Sequence, residues 1–170
     1  MLSGQNFLWK SHTGSVFFSS DAPLELIEAR SDELVGIINP IERTFAFAVK
    51  MKSFEGFNSA LQHEHFNENY MESSTFPKGI FSGRIIEKID LTKDGDYNIR
   101  AKGMLILHGV KKERIIKSTV HVEGNQLTIH SKFTALLIDH DITIPRLVYQ
   151  KIAEEIEVEI NAVFEKNSKS

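Results

Sequence analysis

Hydrophobic and polar residues alternate along most of this 170-residue chain. In residues 44–51 (TFAFAVKM), Phe45, Phe47, Val49 and Met51 fall on one face, and Ala46, Ala48 and Lys50 on the other. That two-residue period is the signature of a strand with one buried face. Residues 154–164 set Ile156, Val158, Ile160, Ala162 and Phe164 against Glu155, Glu157, Glu159 and Asn161. Residues 101–107 align Ala101, Gly103, Leu105 and Leu107; residues 127–133 align Leu127, Ile129, Ser131 and Phe133. Runs of this kind predict strands near 13–20, 22–30, 33–39, 43–53, 79–92, 96–108, 111–123 and 126–137, with 153–165 as a ninth. Asp94-Gly95 and Gly124-Asn125 mark tight turns, and Asn39-Pro40 a third. Short connections predict antiparallel neighbours. One apolar face per strand predicts an all-β protein, either a closed barrel or a sandwich. The inner rows mix Phe, Leu and Ile with Ala, Gly and Ser, which suits a barrel interior that tapers or keeps space open.

Two segments break the alternation. Residues 58–71 (NSALQHEHFNENYM) begin with an Asn-Ser cap signal and carry Leu61, His65 and Phe66 at helical spacing. Residues 145–154 (PRLVYQKIAE) open with a proline suited to a first helical turn and place Leu147, Val148 and Ile152 on one side. The first helix lies in an aromatic stretch: Phe54, Phe57, Phe66, Phe76 and Phe81 are five of the twelve phenylalanines. A polar helix inside such a stretch predicts a lid over an apolar cavity.

The length predicts one domain over residues 1–170. With 41% hydrophobic and 25% charged residues the composition is that of a folded globular chain. A net charge of −3 gives no basic balance toward nucleic acid. The chain has no cysteine, which removes disulfides, thiol catalysis and thiolate metal sites. No apolar run approaches the ~18 residues of a membrane span, so stable membrane insertion is not expected. The first residues, MLSGQNFLWKSHTG, show no basic stretch followed by an apolar one. The last six, EKNSKS, read as a frayed tail.

Catalytic motifs are absent: there is no Gly-x-Ser-x-Gly elbow and no phosphate-binding glycine loop. His63 and His65 flank Glu64, but on a helix their side chains point about 200° apart, a poor chelate. Asp139-His140-Asp141 precedes Ile142 and Pro145 and reads as a polar turn before it reads as a ligand triplet. Glu155, Glu157 and Glu159 read as a solvated strand face. Arg84, Lys111, Lys112 and Arg146 are the cations that could meet an anionic head group if they reach a barrel mouth.

Several segments, in order and spacing, resemble the YceI-like family of polyisoprenoid-binding, lipocalin-like proteins. They are Met51-Lys52-Ser53-Phe54; His65-Phe66-Asn67-Glu68-Asn69-Tyr70-Met71-Glu72-Ser73; Phe76-Pro77-Lys78; Phe81-Ser82-Gly83-Arg84-Ile85; and Gly103 to Lys112 (GMLILHGVKK). Ile142-Thr143-Ile144-Pro145, Ile152-Ala153 and the alternating Ile156, Val158 and Ile160 complete the set. The resemblance runs from about Gly14, with His12-Thr13-Gly14-Ser15 a shortened counterpart of the family's opening and His140-Asp141 where the family tends to have Tyr-Gly. It implies an extended eight-stranded antiparallel up-and-down barrel with one or two short helices. It further implies non-enzymatic binding or transport of a long isoprenoid-like lipid (a polyisoprenoid, quinone or fatty acid) and no cofactor. Dimers are common in the family, so a homodimer is an expectation. Many members are exported, which implies a periplasmic or secreted protein if a signal peptide has been removed, and a cytoplasmic one otherwise. The wall residues expected from the alternation are Phe45, Phe47, Met51, Leu105, Leu107, Leu127, Phe133 and Ile156, with Phe54, Leu61, Phe66 and Phe81 near the lid. The other readings are a stress-response or scaffold protein with a packed barrel, and an isoprenoid-processing enzyme with acid or base groups beside the cavity.

Overall fold

The computed structural model describes residues 7–168. Nine strands follow in order: β1 (Phe7–Asp21), β2 (Leu26–Asn39), β3 (Thr44–Lys50), the two-residue β4 (Glu55–Gly56), β5 (Lys78–Ile85), β6 (Gly95–Leu107), β7 (Val110–Glu123), β8 (Gln126–Leu136) and β9 (Glu155–Ser168). Hydrogen-bonded neighbours run β1-β9-β8-β7-β6-β5-β3-β2, and β1 pairs β2 to close the ring. Eight long strands thus make a closed antiparallel barrel, with β4 attached to β2 at Ala29 and Arg30. The β1–β2 pairing joins the two outer strands, so the sheet has no terminal edge strand.

The opening of the chain departs from the expected pattern. The inward parity of β1 switches: Phe7, Trp9 and Ser11 are buried, then Gly14 and Val16. One extra residue in β1 between Ser11 and Gly14 causes the switch, and β2 matches it with one extra residue between Ser31 and Leu34. The predicted strands 22–30 and 33–39 are therefore a single bulged strand. Its polar Ser31 serves the bulge, accepting a hydrogen bond from the Glu33 amide (3.1 Å) and bonding the Ser53 hydroxyl (2.6 Å).

The barrel has a packed end and a hollow end. At the packed end Trp9, Leu91, Leu127 and Phe164 are wholly shielded from solvent, and Phe7, Ile38, Phe45 and Ile85 are buried beside them. The loop 86–94, expected to continue a strand, instead folds under the barrel and seals it. The Trp9 indole N–H donates to the Leu91 carbonyl (3.0 Å) and ties this plug to β1. Just above, the Phe47 ring lies across Gly36, where a methyl group would come within 2.8 Å of it. Residues 165–167 of the expected tail are ordered partners of Leu8, Trp9 and Lys10, because β9 must extend to meet the early start of β1. Lys169 and Ser170 lie outside the described residues.

At the hollow end the chain crosses between β3 and β5 through α1 (Ala60–His65), continued by a π-helical turn over Phe66–Tyr70. Ser59 caps α1, its hydroxyl accepting from the Gln62 amide (3.1 Å), while the Gln62 side chain accepts from the Asn58 amide (2.8 Å). The second expected helix, 145–154, is reduced to one 3-10 turn at Arg146–Val148. Ten residues are too few to hold a helix unaided, and the Gln150 carbonyl is drawn off to the Leu24 amide of the β1–β2 hairpin (2.9 Å).

A candidate hydrocarbon cavity under a helical lid

Above the packed end the barrel encloses a cavity of about 500 Å³. That lies within the range of small-molecule sites, roughly 300–1,000 Å³. Ten of the twelve side chains expected from the sequence line it: Phe47, Met51, Phe54, Leu61, Phe66, Phe81, Leu105, Leu107, Phe133 and Ile156. The other two, Phe45 and Leu127, sit in the packed floor. They share a strand face with wall residues but stand lower along the barrel axis.

Several wall residues fall outside the expected set. Val16 and Phe18 come from β1, Ile27 and Leu34 from β2, and Val158 and Ile160 from β9. Phe18 joins the lid: its ring stacks on Phe66 (5.5 Å between centroids, 18° between planes) and meets Phe54 at 5.2 Å. Phe57 also packs on Phe66, at 5.0 Å. The alternation Val16, Phe18, Ser20 carries the signal for this wall, once the bulge at Ser11–Gly14 is allowed for.

Several polar groups of the cavity wall are held in hydrogen bonds. Deep in the wall the Ser118 and Ser131 hydroxyls bond each other at 2.5 Å. At the top the Ser20 hydroxyl accepts from the Ala153 amide (2.9 Å). Glu25, on the β1–β2 hairpin, is the latch of the lid: one of its carboxylate oxygens accepts from the Asn58 side chain (2.8 Å) and from the Gln62 side chain (2.7 Å). The Asn58 and Gln62 amides, with Lys151 adding a smaller attraction, hold the Glu25 carboxyl below its ordinary range against the opposing effect of burial. Burial pushes the Tyr70 phenol, also on the cavity wall, upward.

The latch is therefore pH-dependent with a definite sign. A carboxyl whose folded pKa is depressed stabilises the folded contact above its unfolded pKa of ~4.3, and loses that contribution as pH falls through the lower folded value. Amide hydrogen exchange in α1, corrected for the intrinsic pH dependence, is expected to accelerate below that range relative to β6 and β7. Equal behaviour of α1 and the barrel strands would show that Glu25 does not hold the lid.

The histidines of the lid part company as helical spacing requires. His63 stacks on Phe57 (4.6 Å, 16°), whereas His65 lines the cavity. His140 is buried, its Nδ1–H donating to the Val110 carbonyl (3.0 Å), and Asp141 takes up the left-handed conformation (φ 54°) that a glycine would adopt most easily. Among the described residues no group of three His, Asp or Glu side chains is placed to hold a metal ion. No helix among them is long and apolar enough to cross a membrane. Of the cations expected near a mouth, none lines the cavity: Arg84 lies on β5 opposite Thr44, toward the packed end, and Lys112 faces Asp139 at 3.8 Å. Lys151, not anticipated, does line it.

Comparison with known proteins places this geometry in a known group. A family model for the YceI-like domain matches residues 12–164. No curated protein matches the chain. Among solved structures, a polyisoprenoid-binding domain from Saccharophagus degradans, implicated in plant cell wall breakdown, superposes with a TM-score of 0.77 at 14% identity, covering 95% of this chain and 99% of that one. Burkholderia cenocepacia BcnA gives 0.72 at 13% identity, over 88% and 95% of the two chains. The Campylobacter jejuni YceI protein gives 0.64 at 12%, over 84% and 86%.

Proposed function

This chain belongs to the YceI-like family, and from that membership we propose that it binds a single long hydrocarbon chain, isoprenoid in type, without chemically altering it. The observation that carries the reading is a row of apolar side chains that point into the barrel yet stay partly accessible. Phe47, Phe81, Leu107, Phe133, Ile156, Val158 and Ile160 are all half-buried residues that line the cavity. A core without a ligand would close over such surface, since each buried apolar Å² is worth about 25 cal/mol. The pairing of Ser118 with Ser131 and the latching of Glu25 by two amides support binding over turnover. The polyisoprenoid-binding domain of S. degradans supports an isoprenoid chain as the ligand class.

The depth of the cavity bounds the chain. β6 lines it from Ala101 to Leu107. Six steps of ~3.3 Å on a strand tilted about 40° give roughly 15 Å of depth. An extended carbon chain advances about 1.3 Å per backbone carbon, from a C–C bond of ~1.5 Å. The cavity then holds roughly three to four isoprene units, counting the space beneath the lid.

The test is organic extraction of the purified protein followed by mass spectrometry. The expected result is a hydrocarbon-chain lipid at up to one per chain. A protein that yields none, and takes up none from mixed prenyl alcohols, contradicts the reading.

A further inference from the structure

The barrel wall has a seam. β6 and β7 pair along their whole common length, from Gly95↔Val122 to Leu107↔Val110. β8 and β9 pair up to Leu136↔Glu155. Between β7 and β8, however, the ladder stops at Ser118↔Ser131, although β7 continues to Val110 and β8 to Leu136. The seam is bounded below by the Ser118–Ser131 hydroxyl pair and above by the His140–Val110 hydrogen bond and the Lys112–Asp139 pair. From Lys112 to Lys117 it leaves about 17 Å of unpaired strand edge on β7. It opens beside Ile116, Phe133 and Ala135, which all line the cavity.

Of the cations on this stretch of β7, Lys112, Arg114 and Lys117, Arg114 is the half-buried one. Arg114 is on the inward face of β7, in step with the cavity residues Ile116 and Ser118, and its guanidinium lies 5.5 Å from the centre of the Phe133 ring. The arginine ion pairs among the described residues belong to Arg30 and Arg100, so Arg114 meets no carboxylate there. Lys151, the cation on the cavity wall, lies within electrostatic reach of the Glu25 carboxylate. A half-buried guanidinium over an aromatic face, with its donors uncommitted to any acid, is suited to a planar or tetrahedral oxyanion.

We propose that Arg114, in the seam between β7 and β8, binds the anionic head group of an amphiphile whose hydrocarbon chain fills the cavity. The head group is a phosphate monoester or a similar small oxyanion. It sits at the side of the barrel, with Lys117 and Lys132 on the flanking strands, and the chain runs inward past Phe133. This inference rests on the hydrocarbon-cavity reading.

The experiment compares geranylgeranyl monophosphate with geranylgeraniol, two probes with one chain and different heads. The wild-type chain is expected to bind the phosphate at least about tenfold more tightly, in line with a charge-assisted pair. Arg114→Gln is expected to reduce that preference to within about threefold while leaving alcohol binding within about twofold, and Arg114→Lys to restore part of it. Palmitate against hexadecanol separates a carboxylate head from a phosphate one by the same Arg114 dependence. A preference that survives in Arg114→Gln, or that is lost instead in Lys151→Gln, overturns the assignment. So does alcohol binding with no preference in the wild type, which leaves the cavity reading intact. If neither amphiphile binds, the cavity reading fails as well.

Discussion

Replacing Ala135 by tryptophan is expected to weaken hydrocarbon-chain binding about 100-fold while the barrel stays folded. Ala135 is a buried residue of β8 whose small side chain faces the cavity, opposite Ile156 on β9. An indole there takes the space the ligand would occupy. Losing about 110 Å² of apolar contact at ~25 cal/mol per Å² amounts to ~2.8 kcal/mol, a factor of roughly 100 in affinity. The same substitution in a packed core would strain its neighbours by about 1–3 kcal/mol. Here the cavity offers about 500 Å³ to receive the ring, so the unfolding midpoint should hold or rise. Titration with geranylgeraniol and thermal unfolding of the same sample check both halves. Undiminished binding would mean that the chain does not occupy this cavity.

Trp9→Ala is expected to have the largest effect on stability. Trp9 is fully shielded, packs edge-on against Phe7 at 5.2 Å between ring centres, and donates to the Leu91 carbonyl. Truncating a buried tryptophan costs about 3–5 kcal/mol through lost burial and the cavity left behind. It also leaves the Leu91 carbonyl without its partner, so the loop that seals the packed end loses its tie to β1. For a chain of this size the midpoint of thermal unfolding should fall by about 10 °C. Circular dichroism melts measure it. A drop of only one or two degrees would show that the packed end is not a unit of stability and that the cavity lacks a firm floor.

These two residues also mark what the alternation of the sequence does and does not reveal. The β3, β6, β8 and β9 patterns are regular, and there the inward face is legible residue by residue. Height along the barrel is not: Phe45 and Phe47 share one strand face, yet Phe45 packs into the floor while Phe47 meets the cavity. A one-strand pattern carries no information about which neighbours stand level with it. The paired bulges of β1 and β2 hid a wall for the same reason. A parity switch at Ser11–Gly14 and Ser31–Leu34 reads as two strand ends until the strands are set side by side. The lid was legible because its signals are local: the Ser59 cap, helical spacing, and phenylalanines on both sides. The latch was not, since Glu25 lies 33 residues from Asn58 and only the fold brings them together. The seam at Arg114 likewise exists only as a missing ladder between two strands that look ordinary in sequence.

The measurement that bears most directly on the central claim is a binding titration of the full chain with prenyl alcohols of increasing length, from two to eight isoprene units. A cavity roughly 15 Å deep with a sealed floor predicts one molecule per chain and an affinity that climbs at least about tenfold from two units to four. Beyond four units it should gain less than about threefold, because the added carbons remain outside. An affinity that keeps rising at the same rate to eight units, or the absence of saturable binding at any length, would contradict the account.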